Sequence, residues 1–187
     1  MSASELKVTS HVARDLLQSA ALFQHEHQVV WEYVSNGLEY VDPGVSPTVD
    51  VTVDANAKKI VVRDNGRGMT KEDLHRYFQM HSENIDRKRG KGGRGMFGTG
   101  KSAAFGIGDV LRLSTVHDGL RCKVQLARGD IDAVAHGAGI PVRVLEENVP
   151  TKSPNGTTVE VEGIHLKKMD IGAIVRHIER HIAHWLR

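Results

Sequence analysis

Hydrophobic residues recur at helical spacing near the start of the chain. The pattern over residues 10–41 predicts two helices, with Ser10 as the N-cap and Pro43-Gly44 as the stop. Apolar residues at this spacing share one helix face, so the second helix is expected to bury that face in a core. Its core-facing residues are Val29, Val30, Tyr33, Val34 and Leu38.

The spacing then changes from helical to alternating. Residues 49–53 alternate between valine and polar residues, residues 55–58 form a turn, and residues 60–64 continue as a second strand. This pattern predicts a β-hairpin whose second strand ends at Asp64.

A short helix and a long loop follow the hairpin. Thr70 and Asp73 form a capping-box pattern, which predicts a helix over about residues 71–79. Residues 81–100 are polar and glycine-rich without periodicity, as is typical of a functional or disordered loop. Residues 101–107 again have a helical pattern.

Strand patterns dominate the rest of the chain. Asp118-Gly119 is a strong hairpin signal, and Pro154-Asn155-Gly156 predicts a turn. The predicted strands are residues 110–116, 120–127, 141–145 and 157–161. An amphipathic helix over about residues 170–186 lacks a glycine or proline terminator, and we interpret the chain as a fragment of a longer protein. The element order predicts an α+β fold, with helices on one face of a mainly antiparallel sheet.

Composition narrows the class of protein. The 187 residues suit one domain, and 25 Lys and Arg against 23 Asp and Glu leave a net charge of only +2. No global field therefore marks a nucleic-acid or membrane binder. Cys122 is the single cysteine and is expected to be buried in a strand. With no apolar leader and no apolar run near the ~20 residues that span a bilayer, we expect a cytoplasmic protein without membrane contact.

The segment Asp64-Asn65-Gly66-Arg67-Gly68-Met69 is the first candidate site. Gly66 and Gly68 permit close backbone approach, and a buried carboxylate at Asp64 can accept a hydrogen bond from an adenine amino group. An ordinary glycine turn that begins with aspartate explains this segment equally well when it is taken alone.

The second candidate is the pair Glu32 and Asn36, four residues apart on one face of the predicted helix. Such pairs are most often solvated, but apolar neighbours surround this one. A glutamate can act as a general base toward water, and an asparagine oxygen can coordinate magnesium beside phosphate oxygens. We interpret the two segments together as an ATP site.

A glycine-rich turn that enters a helix is the third candidate. Backbone N–H groups of Gly95 to Gly100 and the helix N-terminus can hold phosphates, and Lys101 adds a positive charge. Gly95 to Ser102 also reads G-x-x-x-x-G-K-S, the P-loop pattern. A P-loop needs a buried strand directly before it, and the basic, glycine-rich residues 87–94 do not suit one. We therefore interpret the P-loop match as coincidental.

Four segments in order resemble the motifs of the GHKL ATPases, the superfamily of DNA gyrase B, ninety-kilodalton heat-shock chaperones, histidine kinases and MutL. They cover most of the chain. The matching segments are the N-box at residues 32–36, with Glu39 where many members carry Asp, the G1 box at 64–68, the G2 box at 95–100 and the closing Gly156-Thr157.

This resemblance implies a Bergerat-type two-layer α/β sandwich with a mainly antiparallel mixed sheet. It implies Glu32 as the catalytic base, Asn36 as the Mg²⁺ ligand, and Asp64 and Thr157 as adenine contacts, with residues 81–99 as an ATP lid. The full set of implied ATP-binding residues is Asn36, Asp64, Gly66, Gly68, Met69, Gly95, Phe97, Gly98, Thr99, Gly100 and Thr157. Lys101 is not a shared family position, and its contact with the γ-phosphate is a separate hypothesis.

We expect one GHKL ATP-binding domain over residues 1–187, with the C-terminal helix leading to a transducer or effector domain. The function expected from the resemblance is Mg²⁺-dependent ATP hydrolysis to ADP and phosphate, slow in isolation, which drives a conformational or homodimerisation switch. Glu32 resembles the hydrolysing branches, since histidine kinases typically lack this acid. The alternatives are histidine-kinase-like phosphotransfer and a non-catalytic nucleotide-binding module. Nucleic acid is expected only as a partner of other domains.

Histidines on the last predicted helix offer a competing metal site. His177, His181 and His184 share one stripe, but no carboxylate completes a metal motif. We interpret them as a solvated or interfacial stripe. The same interpretation applies to His25-Glu26-His27, because adjacent residues diverge around a helix.

Overall fold

The computed structural model describes residues 5–8, 16–17, 19–78, 100–134 and 140–185. Strands, several of them in consecutive pairs, are interspersed with helices through these ranges, as expected of an α+β protein. In chain order they are β1 (Glu5–Val8), α1 (Glu26–Glu39), β2 (Val49–Asp54), β3 (Lys59–Asp64), α2 (Lys71–Phe78), α3 (Gly100–Ile107), β4 (Val110–His117), β5 (Leu120–Ala127), α4 (Arg128–Asp132), β6 (Ile140–Pro150), β7 (Gly156–Glu162) and α5 (Ile171–Trp185).

The strands form one seven-stranded sheet in the order β1-β6-β5-β4-β7-β3-β2. Every pairing between the described strands is antiparallel, so these strands form a more uniform sheet than the expected mixed one. Helix α1 packs against β2, β3, α3 and α5. The predicted sandwich of helices on a mainly antiparallel sheet is confirmed.

Alternation along the central strands separates a core face from a charged face. Leu111, Leu113, Val159 and Val161 are buried beneath the helices. The intervening positions carry ion pairs, among them Lys59 Nζ to Glu160 Oε2 at 2.6 Å and Arg112 NH1 to Glu162 Oε1 at 2.7 Å. The alternation predicted from the sequence therefore sets which sheet face the helices cover.

Several local predictions are confirmed. Thr70 Oγ1 lies 2.8 Å from Asp73 Oδ2, and the Asp73 N–H donates to Thr70 Oγ1 at 3.1 Å, as a capping interaction requires. Asp118 and Gly119 have φ of 48° and 75°, the positive pair that a type I′ hairpin turn needs. Cys122 is buried in β5 with 4% exposure.

Other boundaries differ from the prediction. Helix α1 begins only at Glu26 and ends at Glu39, before Pro43-Gly44, and Ser10 lies outside the described residues. Strand β6 extends to Pro150, beyond the predicted end at residue 145. Strand β1 and helix α4 were not predicted.

The α1–α5 interface contains His27, His177 and His181, so these histidines are interfacial, one of the two environments expected of them. The His177 ring lies 4.1 Å from the His181 ring and 4.7 Å from the His27 ring, and Trp31 lies against both α5 histidines. Glu26 is buried and accepts a 2.7 Å hydrogen bond from the Asp170 N–H, so it is not on a solvated face. The tertiary contact between the helices, which helical spacing cannot reveal, brings these side chains together.

Candidate functional site

The Asp64 carboxylate is held at the end of β3 by backbone donors from two directions. Its Oδ1 accepts hydrogen bonds from the Gly66 N–H at 2.8 Å and from the Thr157 N–H at 3.0 Å. Gly66 belongs to the following turn, whereas Thr157 comes from the neighbouring strand β7. The structure thus brings together the predicted G1 box and the distant Gly156-Thr157 segment.

The second Asp64 oxygen has no protein donor within the described part of the chain. Burial raises the pKa of the Asp64 carboxyl, and the N–H groups of Gly66 and Thr157 oppose that rise. The half-buried carboxylate is therefore fixed through Oδ1, while Oδ2 remains an acceptor for a donor supplied by a ligand.

A residue that the sequence analysis did not select connects the site to the sheet. Thr115 is fully buried on β4, and its Oγ1 accepts the Met69 N–H at 2.8 Å. The same oxygen lies 3.2 Å from Thr157 Oγ1. The sequence contains one signal for Thr115. It follows Leu111 and Leu113 in the alternation of β4, so its hydroxyl occupies a core-facing position.

The turn after Asp64 depends on glycine at position 68. Gly68 has a φ of +70°, and a Cβ built there would lie 1.8 Å from the Val116 carbonyl oxygen. Only glycine combines this left-handed backbone with such a close approach. Gly68 therefore allows the turn to pass directly over β4, and the next residue, Met69, can reach Thr115.

Helix α1 places the Glu32 and Asn36 pair beside this turn. A Cβ at Gly37 would lie 2.8 Å from Asp64 Cβ and 2.9 Å from Val49 Cγ2, so the missing side chain lets the helix contact the end of β3. Glu32 and Asn36 are both half-buried on this helix. The predicted N-box and G1 box are therefore adjacent in space.

Two tyrosines, the buried Tyr33 and the half-buried Tyr77, lie near Glu32. Burial raises the pKa of Tyr33 and of Tyr77, and the Glu32 charge adds to both rises. The Glu32 carboxylate therefore lies close enough to both phenols to affect their ionisation. Sequence analysis identified Tyr33 only as a core residue and did not select Tyr77.

Lys101 is buried at the start of α3, with 3% exposure. Its Nζ donates a 2.9 Å hydrogen bond to the Tyr77 carbonyl oxygen, and burial lowers the pKa of this ammonium to about 8. An ammonium has three N–H donors, so this bond does not by itself exclude a contact between Lys101 and a γ-phosphate.

The remaining predicted phosphate contacts are not all described. Gly100 begins α3, whereas Gly95, Phe97, Gly98 and Thr99 lie outside the described residues, as does the predicted lid at 81–99. Helix α3 begins at the last residue of the G2 box, Gly100, as the sequence predicted.

The described side chains suit a magnesium ion that is coordinated mainly by the phosphates of a nucleotide. Among the described residues no group of three or more His, Cys, Asp or Glu side chains could hold a metal. Magnesium bound through phosphates needs only one or two protein oxygens, and the Asn36 carboxamide can supply one.

No helix in the described ranges is long and apolar enough to cross a membrane. The longest described helix, α5, is amphipathic.

Comparisons with known proteins agree with the geometry. A family model described as "Histidine kinase-, DNA gyrase B-, and HSP90-like ATPase" matches residues 24–153. DNA mismatch repair protein MutL from two strains of the archaeon Halobacterium salinarum is 37% identical over 135 residues, which cover 71% of this chain. The aligned part is 18% of the length of these curated relatives. The matched range contains Glu32, Asn36, Asp64 and Lys101.

Proposed function

Because the chain belongs to the family of histidine kinase-, DNA gyrase B- and HSP90-like ATPases, we propose that it binds ATP with Mg²⁺ and hydrolyses it to ADP and phosphate. The observation that carries the proposal is the Asp64 carboxylate, fixed through Oδ1 by Gly66 and Thr157. In this proposal Asp64 Oδ2 accepts a hydrogen bond from the adenine amino group. Thr157 contacts the base directly or through water, and Gly66, Gly68 and Met69 line the pocket.

The hydrolytic end of the site is assigned to helix α1. Glu32 removes a proton from water as the water oxygen attacks the γ-phosphorus, and the bond from that phosphorus to the bridging oxygen of ADP breaks. Asn36 would hold the magnesium ion, which would neutralise charge on the phosphates.

The phosphates are assigned to the G2 box. Backbone N–H groups of Gly95, Phe97, Gly98, Thr99 and Gly100 bind them, and the Lys101 ammonium contacts the γ-phosphate. Residues 81–99 act as the lid that ATP orders and hydrolysis releases. Differential contact with the γ-phosphate is what makes such a lid a switch.

At the level of the whole protein, we propose that this ATPase unit works as a nucleotide-driven switch within a longer chain. The similarity over 135 residues to relatives of which it covers only 18% supports this role. ATP-dependent homodimerisation is the expected output, with a following transducer domain completing the catalytic site.

Steady-state phosphate release tests the enzymatic part of the proposal. Glu32→Gln should lower kcat by about 100-fold or more while ATP still binds, because a general base contributes about 10²–10⁴ in rate. Glu72→Gln is the matched control, since Glu72 lies on the exposed first turn of α2. Equal turnover in wild type and Glu32→Gln would contradict the role of Glu32.

The same reactions distinguish the alternatives. γ-labelled ATP would leave label on a protein histidine if the chain were a phosphotransfer domain, and free phosphate is expected instead. Nucleotide binding without Glu32-dependent turnover would favour a regulatory module.

A further inference from the structure

We propose that Thr115 is a positioning residue that fixes the direction of the Thr157 hydroxyl proton, so that the site recognises the N1 acceptor of adenine. The inference deepens the proposed function and rests on it. Its basis is a count of protons and lone pairs around one buried oxygen.

Thr115 is placed where its hydroxyl cannot reach bulk water. Its exposure is 0%, and it pairs with Thr157 on β7 and with Cys122 on β5. The Met69 N–H donates to its Oγ1 at 2.8 Å. Its other neighbours are Thr157 Oγ1 at 3.2 Å and the Gly156 carbonyl oxygen at 3.4 Å.

A hydroxyl has one proton and two lone pairs. The Met69 N–H occupies one lone pair of Thr115, and the Thr115 proton goes to Thr157 Oγ1 or to the Gly156 carbonyl. The contact with Thr157 Oγ1 is the shorter of the two. When Thr115 donates to Thr157, the Thr157 proton is released toward the ligand side of the site.

This direction matches one edge of one base. Adenine presents a donor at its 6-amino group and an acceptor at N1, which complement an acceptor at Asp64 and a donor at Thr157. Guanine and hypoxanthine present an acceptor at position 6 and a donor at N1, so both groups would meet the wrong partner. Asp64 recognises the group at position 6, and Thr115 acts through Thr157 on the recognition of N1.

The role of N1 can be isolated with 1-deaza-ATP, which keeps the 6-amino group and loses only this acceptor. Wild type should bind ATP about tenfold more tightly than 1-deaza-ATP, the value of one hydrogen bond. Thr115→Val keeps the shape of the side chain but removes its hydroxyl, and should reduce that ratio to about threefold or less. Thr115→Ser should restore the wild-type ratio, and Thr157→Val should abolish it.

The ratio separates positioning from a structural effect. Thr115→Val leaves the Met69 N–H without its acceptor, so a loss of stability or of overall affinity is expected as well. A merely structural role would weaken both nucleotides equally and leave the ratio unchanged, which would overturn the inference. If Thr115→Val does not fold, Thr115→Cys replaces it, because a thiol is a much weaker donor, and the ratio should fall in the same direction.

Failure of the proposed function would look different. In that case wild type would not bind ATP, or Asp64→Asn would bind it normally. The Thr115 inference fails alone when binding requires Asp64 but Thr115→Val and wild type distinguish ATP from 1-deaza-ATP equally well.

Discussion

The two ends of the candidate site are held in different ways. At the adenine end, one carboxylate is fixed by backbone donors from the turn at Gly66 and from β7 at Thr157. At the hydrolytic end, Glu32 on α1 lies near Tyr77 on α2. The Tyr77 carbonyl oxygen accepts a hydrogen bond from the Lys101 ammonium on α3. Sheet register fixes the first arrangement, whereas side chains from three helices form the second.

This difference indicates which end is preorganised. Register pairs Val62 with Val159 and Arg63 with Thr158, so Thr157 reaches Asp64 without any adjustment. At the hydrolytic end, no strand register holds Lys101, whose ammonium donates to the Tyr77 carbonyl from another helix. We therefore expect substitutions at the adenine end to act on the free protein and on base binding, and those at the hydrolytic end to act on discrimination of the γ-phosphate.

The largest effect is expected from Gly68→Ala, which would disrupt the turn at the adenine end and destabilise the protein. The new methyl group would meet the Val116 carbonyl, 1.8 Å from the ideal Cβ position, at a φ of +70°. We expect a loss of about 3 kcal/mol or more in the free energy of unfolding. Urea denaturation measures it.

Gly44→Ala is the matched control. Gly44 also has a positive φ, of +84°, but nothing lies within 4 Å of its Cβ position. Its expected cost is about 1–2 kcal/mol, from backbone conformation alone. Equal losses for the two variants would show that the contact with Val116 does not matter.

The next largest effect concerns Lys101 and the hydrolytic end. If Lys101 contacts the γ-phosphate, Lys101→Ala should reduce the preference for ATP over ADP by about tenfold, as expected for a charge-assisted hydrogen bond. Affinity for ADP should change less. Calorimetric titration of both nucleotides measures the preference, and an unchanged ratio would remove Lys101 from the γ-phosphate site.

Titration of the Lys101 ammonium provides a second test of its role in the preference for ATP over ADP. Burial lowers the pKa of Lys101 to about 8, so the charged form is lost as the pH rises through this value. The ATP preference of wild type should therefore weaken above about pH 8, and that of Lys101→Ala should not. A parallel pH dependence in the two proteins would indicate another titrating group.

The smallest effect is expected away from both ends, at the α1–α5 interface. Burial, with smaller contributions from His181, His27 and Arg180, lowers the pKa of His177 to about 4. The unfolded chain takes up this proton near pH 6.5, before the folded protein does, so stability should fall as the pH decreases from about 6.5 to about 4. Because His177 is partly exposed, the slope should be below about 1 kcal/mol per pH unit.

Replacement of the histidine tests this slope. His177→Gln should flatten the acid limb of the free energy of unfolding, measured by urea denaturation between pH 4 and pH 7. His75→Gln, on α2, is the control and should keep the wild-type slope. A wild-type slope in His177→Gln would place the acid sensitivity elsewhere.

Short-range chemistry made much of this structure predictable. The Thr70–Asp73 cap, the Asp118-Gly119 turn and the alternation in β4 and β7 each depend on neighbours in sequence, and all are present. The contact between helix α1 and the end of β3, at Gly37 and Asp64, agrees with the site expected from one helix face and one strand end. Family resemblance connected Thr157 to the same pocket.

The missed features depend on distant partners. Strand β1 is only four residues long and exists as a partner of β6, far along the chain. Thr115 gains its role from Met69 and Thr157, which are 46 and 42 residues away in sequence. Glu26 is buried because it meets the Asp170 N–H. Local propensity contains no information about such contacts.

The most direct test is calorimetric binding of Mg-ATP to wild type, Asp64→Asn, Glu32→Ala and the control Asp50→Asn, with phosphate release followed in parallel. In Asp64→Asn the new amide can still accept the Gly66 and Thr157 N–H groups through its oxygen but presents a donor to the adenine amino group. We therefore expect a loss of about 100-fold or more in affinity. Glu32→Ala should bind ATP and lose turnover, and Asp50→Asn should behave like wild type. Normal ATP binding by Asp64→Asn would contradict the account and reopen the P-loop interpretation of Gly95 to Ser102.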